Sequence, residues 1–301
     1  MININLKDRL GNQMFQYALG YALSKRNNSK LCLDLRTLNQ KPKNAPDNWV
    51  TRTYDLDIFG IIPNKPKFID LLKTLQFHKD YVIRFHIAQL LDKLNFITIL
   101  ERAHKYDPRI LEHNEKTLYL DGYWQCEKYF SEYKKDILKI FHFNGLENEK
   151  HNIELLEKIN KKDSVCLNVR RTDHLNDPGL DVVNMNYYNN AISYCYKEIG
   201  GDINFFIFSD DLEWCKKNFS HISNITFVEH DIYAGKKFYN YLFLMSKFKN
   251  YIIPNSSFAW WAAWLSKSES KKVLVPRIWS GIHKESEIDV PLEEWIKIDN
   301  F

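Results

Sequence analysis

Apolar and polar positions alternate at the start of the chain, where Ile2, Ile4 and Leu6 are separated by Asn3 and Asn5. That period of two is the mark of a strand. From Met14 the period lengthens: Met14, Tyr17, Ala18, Tyr21 and Ala22 share one helical face. The pattern predicts a strand at Ile2–Leu6, a loop at Lys7–Gln13, a helix at Met14–Lys25 and a second strand at Leu31–Leu35. Residues 36–66 are rich in Asn, Pro and Lys and read as a long loop. Residues 68–96 read as mostly helical, and Leu118–Leu120 as a strand running into Gly122-Tyr123-Trp124-Gln125. A helix is expected over 127–141. The polar, unpatterned stretch 143–150 places a domain boundary near 150, giving domains at 1–150 and 151–301.

The second half is more regular. Short apolar runs lie at Val165–Val169, Asn204–Ser209, Ile225–Val228, Tyr251–Pro254 and Lys272–Val275. Helical patterns fill most gaps, at 187–199, 211–218, 236–248 and 257–268. Strands alternating with helices predict an α/β fold, with a parallel sheet covered by helices on both sides.

Composition removes several function classes. The 301 residues suit two domains. None of the 10 glycines forms Gly-x-Gly, so the dinucleotide fingerprint is absent, and Gly235-Lys236-Lys237 lacks the rest of a phosphate loop. A net charge of +4, evenly spread, argues against nucleic acid. The cysteines at 32, 126, 166, 195 and 215 have neither zinc nor redox spacing, which points to structural thiols in a reducing compartment. The alternating N-terminus is unlike a signal peptide, and charges interrupt residues 68–96. A cytoplasmic protein is expected, with at most peripheral contact at the inner face of the membrane.

The unusual residues cluster where strands end, which is where ligands bind in open α/β sheets. Leu10-Gly11-Asn12-Gln13 follows the first strand, and Arg170-Arg171-Thr172-Asp173-His174 follows Val165–Val169. Ser209-Asp210-Asp211 and Asn255-Ser256-Ser257-Phe258 follow two others. This set suits an anionic phosphate. A guanidinium fork matches phosphate bidentately. Ser256 and Ser257 would open a helix whose first amides attract an anion. A Gly11-Asn12 turn would bring backbone close to the same group. Each piece also has a plainer reading. Arg170-Arg171 suits a salt-bridged pair, Asp210-Asp211 and Ser256-Ser257 suit helix caps, and Trp260, Trp261 and Trp264 suit a core. Gly122–Gln125 reads equally as a packed turn or as a stacking site for an acceptor. Asp55-x-Asp57 has the form of a metal-nucleotide motif but occurs readily by chance.

Taken together and in order, these motifs resemble the α-1,2-fucosyltransferase family, bacterial and blood-group H type. The residues carrying the resemblance are Gly11–Ala18, Val169–Asp173, Phe206–Asp211 with Trp214, and Asn255–Trp261 with Ala263-Trp264-Leu265; Gly122–Gln125 looks like the bacterial members. The resemblance implies two Rossmann-like domains facing across a cleft, GT-B-like, with the acceptor mainly on the first and the donor on the second. It implies inverting transfer of L-fucose from GDP-β-L-fucose to the 2-hydroxyl of a terminal β-galactoside, without a metal, in surface polysaccharide synthesis. It carries donor contacts onto Gly11, Asn12, Asn168, Arg170, Arg171, Asp210, Asp211, Ser256, Ser257 and Phe258, and catalytic roles onto Arg170, Asp173 and Asn12. Three positions depart from the family pattern: Asn168 stands where His is usual, Thr172 where Gly is common, and Tyr241 where an acid thought to read guanine is usual. Arg170 would neutralise charge on the departing GDP. Asp173, His174 and Asp177 are the nearby candidates for a general base.

Overall fold

In the computed structural model the described residues are 1–38, 51–66, 96–101, 104–115, 117–200 and 202–301. They divide into two compact units, Met1–Phe141 and His142–Phe301, so the polar stretch 143–150 belongs to the second.

The first unit carries β1 (Ile2–Asn5), α1 (Leu10–Arg26), β2 (Leu31–Asp34), β3 (Phe96–Leu100), β4 (Thr117–Asp121) and α2 (Lys134–Ile140). Its four strands run in the order β2-β1-β4-β3, every pair parallel. A strand buried on both faces must satisfy its polar side chains internally. Asn3 does so in part: Nδ2 donates to the Leu118 carbonyl at 3.0 Å, while Oδ1 is buried with no partner among the described residues. Three expectations change. The helix opens at Leu10, so the anticipated loop over Lys7–Gln13 is short, and Asn12 and Gln13 already donate their amides to the Arg9 carbonyl. Strand β3 was not anticipated. The expected helix over 127–141 is two 3₁₀ turns followed by α2, interrupted where buried Phe130 takes a non-helical φ of −133°. Of the helical section expected over 68–96, all but Phe96, which opens β3, lies outside the described residues.

The second unit opens with α3 (Lys150–Lys161), whose inward residues Asn152, Leu155 and Ile159 were too few to signal a helix. There follow β5 (Asp163–Val169), α4 (Met185–Glu198), β6 (Ile203–Ser209), α5 (Leu212–Phe219) and β7 (Ile225–Phe227). Then come α6 (Tyr239–Met245), β8 (Asn250–Ile252), α7 (Ser257–Leu265), β9 (Lys272–Pro276) and the unanticipated β10 (Ile296–Ile298). The sheet order is β10-β9-β8-β5-β6-β7, all parallel. In strand sequence this is 3-2-1-4-5-6 read from the β7 edge, the Rossmann order. The α/β class and two Rossmann-like domains are as expected.

Both faces of this sheet are apolar, as helices on each side require. Val165, Leu167, Phe205 and Ile207 pack with Tyr187 and Ile192 of α4. Phe206 and Phe208, pointing the other way, meet Phe248, and Phe208 also meets Tyr241. Helix α7 is apolar all round, and such a helix belongs inside. Trp260, Trp261 and Trp264 are buried, with Trp260 Nε1 donating to the Val290 carbonyl at 2.8 Å, so the three tryptophans are core. All five cysteines are buried and none forms a disulfide. Among the described residues no helix is long and apolar enough to cross a membrane.

Candidate active site

Register assembles the polar clusters of the second unit. Val169 at the end of β5 pairs with Ser209 at the end of β6. Arg170–Asp173 therefore leaves the sheet beside Asp210-Asp211. On the other side β5 pairs with β8, Leu167 against Ile252, so the Asn255–Phe258 segment emerges beside the same strand. Strand order reverses between β5 and β8, and that is the switch point where open α/β sheets bind ligands.

Asp210 organises the turn after β5. Its Oδ1 accepts the Arg171 amide at 3.0 Å, and its Oδ2 accepts the Thr172 amide at 3.1 Å together with the Thr172 hydroxyl. The next residue has a different role: Asp211 caps α5, Oδ1 accepting from the Trp214 amide at 3.1 Å. Its other oxygen takes Arg171 Nε at 3.3 Å, while the Arg171 guanidinium lies 3.9 Å from the centre of the Trp214 ring. Arg171 is thus held by a carboxylate and an aromatic face.

Arg170 is not an open fork. Its Nε and Nη2 donate to the two oxygens of Asp173 at 2.8 and 2.7 Å, and Nη1 lies 3.2 Å from Asp210. The Arg170 side chain is about a fifth exposed, held by two carboxylates just beyond the end of β5. Because both Asp173 oxygens face Arg170, a base role for Asp173 would require that pairing to open. Asn168 is buried, and its Nδ2 donates to the Phe208 carbonyl at 2.9 Å, tying β5 to β6. At the other side of the switch point, the Ser256 hydroxyl caps α7 by accepting from the Ala259 amide at 3.4 Å. The first amides of a helix have no intrahelical acceptor, here those of Ser257 and Phe258. They lie where an anion is favoured.

A cavity of about 270 Å³ lies alongside, lined by Asp210, Asp211, Glu229, His230 and Asp231. Glu229-His230-Asp231 was missed in the sequence, although it too lies just past a strand end, separated from β7 by one residue. Beside it, Lys237 and Phe238 both adopt positive φ, 52° and 60°, a rare pair for residues with side chains. Phe238 remains exposed, and its ring meets His230 at 5.5 Å and Phe258 at 6.4 Å. Burial lowers the pKa of both His174 and His230, which favours neutral rings near neutrality. Tyr241, in place of the family's acid, is buried and donates its hydroxyl to the Val228 carbonyl.

Gly11 and Asn12 sit in the first unit, in the first turn of α1 rather than in a separate turn, because the helix begins before them. Asn12 Oδ1 accepts from Gln125 Nε2 at 2.7 Å, which joins two of the motifs. Of the Gly122–Gln125 segment, Trp124 is buried and packs edge-on against Tyr129 at 5.9 Å, so it is core. Asp55 is buried and accepts from the Thr53 hydroxyl at 2.6 Å. Among the described residues no three His, Cys, Asp or Glu side chains gather as metal ligands would.

Comparison with known proteins narrows the chemistry. An alpha-1,2-colitosyltransferase of Escherichia coli is 32% identical over 298 residues, covering 96% of each chain. The O-antigen biosynthesis glycosyltransferase WbnK of Escherichia coli is 28% identical over 322 residues, covering 97% of this chain and 99% of that one. Among solved structures, the fucosyltransferase NodZ from Bradyrhizobium is similar at a TM-score of 0.47 and 13% identity, over 87% of this chain and 90% of that one. The model for glycosyl transferase family 11 matches residues 79–299, most of the chain, and the protein belongs to that family of glycosyltransferases.

Proposed function

We propose that this enzyme transfers L-fucose from GDP-β-L-fucose to the 2-hydroxyl of a terminal β-galactoside, with inversion, during assembly of a surface glycan such as O-antigen. The observation that supports the reading is the parallel pairing of β5 with β8, so that the Arg170 turn and the segment leading into α7 leave neighbouring strands at the switch point. In the reaction a bond forms between galactose O2 and fucose C1 while the bond from C1 to the phosphate oxygen breaks. GDP leaves with its charge, and the hydroxyl proton passes to a base or to solvent. Arg170 and the amides of Ser257 and Phe258 are suited to that growing negative charge, since fixed donors aimed at it lower the barrier most. In this reading they do so without a metal. The cavity at Asp210, Asp211 and Glu229–Asp231 suits the nucleoside: carboxylates accept from ribose hydroxyls and from the N–H edge of guanine, and Phe238 and His230 offer ring faces. The first unit would hold the acceptor.

One observation favours a second donor. The 32% identical relative is a colitosyltransferase, and colitose is the 3-deoxy counterpart of fucose. The test offers purified protein GDP-fucose or GDP-colitose with lactose, Galβ1,3GalNAc or Galβ1,3GlcNAc. Mass spectrometry and NMR linkage analysis read the outcome. An α-1,2-fucosylated product supports the first reading, and preference for colitose supports the second. Another linkage, or binding without turnover, sinks both. Activity that vanishes with chelator and returns with Mn²⁺ would remove the metal-free mechanism.

A further inference from the structure

The ends of β1, β3 and β4 in the first unit carry a polar network built round a carboxylate that no motif marked. Glu101 follows β3 directly. Its Oε2 accepts the Tyr123 amide at 2.5 Å and its Oε1 the Trp124 amide at 2.9 Å. One carboxylate thus grips two successive amides, an arrangement that backbone nests otherwise offer to bound anions. The approach depends on Gly122, where an added Cβ would lie 2.3 Å from Glu101 Cβ. The gripped turn is strained: Trp124 is buried with φ +57°, and its buried Nε1 has no partner among the described residues. Without the carboxylate, two converging, partly buried amides would lose their acceptor beside a residue held in the left-handed region.

What the turn presents is better suited to sugar hydroxyls than to packing. The Tyr123 hydroxyl donates to Asp8 Oδ2 at 2.7 Å, and Asp8 itself has φ +57°. Gln125 reaches Asn12, and Gln16 Nε2 donates to the Gly122 carbonyl at 3.1 Å. Tyr123, Gln125, Asp8 and Asn12 remain partly exposed. A row of carboxylate, amide and phenol groups at strand ends is a hydrogen-bonding platform for a polyhydroxylated ligand. We propose that Glu101 is a positioning residue for the glycan acceptor: by gripping the Tyr123 and Trp124 amides it sets Asp8, Asn12 and Gln125 to receive the sugar. This rests on the glycan-acceptor reading above.

The charged groups facing Glu101 are Lys7 and Asp121, paired with each other, with Asp8, Tyr123 and Tyr129 around them and the His104 ring 6.1 Å from Tyr123. Burial, only partly offset by the two amides and Lys7, pushes the Glu101 carboxyl up to about 7. Once protonated, it sets an O–H against amide donors, and the grip on one amide is lost.

The test measures acceptor KM and kcat between pH 5.5 and 8.5, together with acceptor-free hydrolysis of GDP-fucose. Wild type should show acceptor KM rising as pH falls through about 7. Glu101→Gln, which turns an N–H toward an amide at every pH, should raise acceptor KM about tenfold with no such pH dependence. Its donor hydrolysis should stay within twofold of wild type. Rescue of the pH dependence by Glu101→Asp would support a charge-based grip. Unchanged KM and profile in Glu101→Gln, or a parallel loss of donor hydrolysis, overturns the inference. If Glu101→Gln does not fold, Asp8→Asn decides: it should raise acceptor KM alone, and an unchanged KM overturns the proposal. Failure of the underlying reading looks different, since wild type itself would transfer no sugar to a glycan.

Discussion

The guanidinium of Arg170 grips both oxygens of the Asp173 carboxylate, Nε to Oδ1 at 2.8 Å and Nη2 to Oδ2 at 2.7 Å. This fork-to-fork pair fixes the direction in which Arg170 presents its remaining face, and an ammonium cannot reproduce it. Folded Arg170→Ala should lose about 100- to 1000-fold in turnover, the usual consequence of losing one preorganised donor at a developing charge. Arg170→Lys should recover little of it. Near-normal turnover in the alanine variant would remove Arg170 from the leaving-group role.

Asp173→Asn separates two roles for the same residue. If Asp173 only orients Arg170, the variant should weaken donor binding about tenfold and leave the shape of the pH–rate profile intact. If instead it takes the acceptor's proton, kcat should fall by about 100- to 10,000-fold and the acidic limb of the profile should disappear. We expect the first outcome, because both oxygens already serve Arg170.

Asp210 and Asp211 are neighbours with different work, and stability should reveal it. Asp210 gathers two amides and a hydroxyl, so Asp210→Asn turns an amide group toward donors and should destabilise the second unit by about 1–3 kcal/mol. Asp211→Ala removes an N-cap worth about 1 kcal/mol. Thermal unfolding of the two variants should rank them in that order; equal midpoints would contradict the pinning role of Asp210.

Much of this site was legible because the second unit obeys simple rules. The apolar runs Val165–Val169 and Asn204–Ser209 mark β5 and β6, and parallel pairing at Val169 and Ser209 brings together whatever follows them. The doubled serine before Phe258 reads as a cap, and Ser256 is one. What stayed hidden depends on long-range partners. Strand β3 is recognisable only beside β4, and Glu101 matters only because Tyr123 and Trp124 fold back onto it. Nor does local pattern distinguish Asp210 from Asp211: one turns back to the β5 loop and the other forward to α5.

The two serines at α7 offer a similar separation. Ser256→Ala removes the cap to Ala259 and should lower stability by about 1 kcal/mol, with donor KM following only as far as the helix start frays. Ser257 makes no cap, so Ser257→Ala should leave the melting temperature unchanged and raise donor KM severalfold if its hydroxyl meets phosphate. Isothermal titration with GDP reads this directly; unchanged affinity in Ser257→Ala would leave only the helix amides for the anion.

Acid should act on the two units in opposite directions. In the second unit, burial holds His174 and His230 below the usual 6.5, so the unfolded chain binds more protons between the folded pKa values and 6.5. Their contribution is present above 6.5 and is lost as pH falls below it. In the first unit, Glu101 has the reverse sign. Its folded carboxyl is raised from 4.5 to about 7, so the folded state binds the extra proton across that window and gains stability as pH falls through it. The Asp34 carboxyl, held low mainly by Arg36 against the opposing effect of burial, titrates below this range. Hydrogen exchange by mass spectrometry at pH 7.5 and 5.5, corrected for intrinsic rates, should show weaker protection around β5 and β6 at the lower pH. Protection within β3 and β4 should be unchanged or stronger, the Tyr123 and Trp124 amides gripped by Glu101 excepted. His174→Asn with His230→Asn should abolish the first effect and Glu101→Gln the second. Loss of protection in both units alike would mean that other groups govern the acid response.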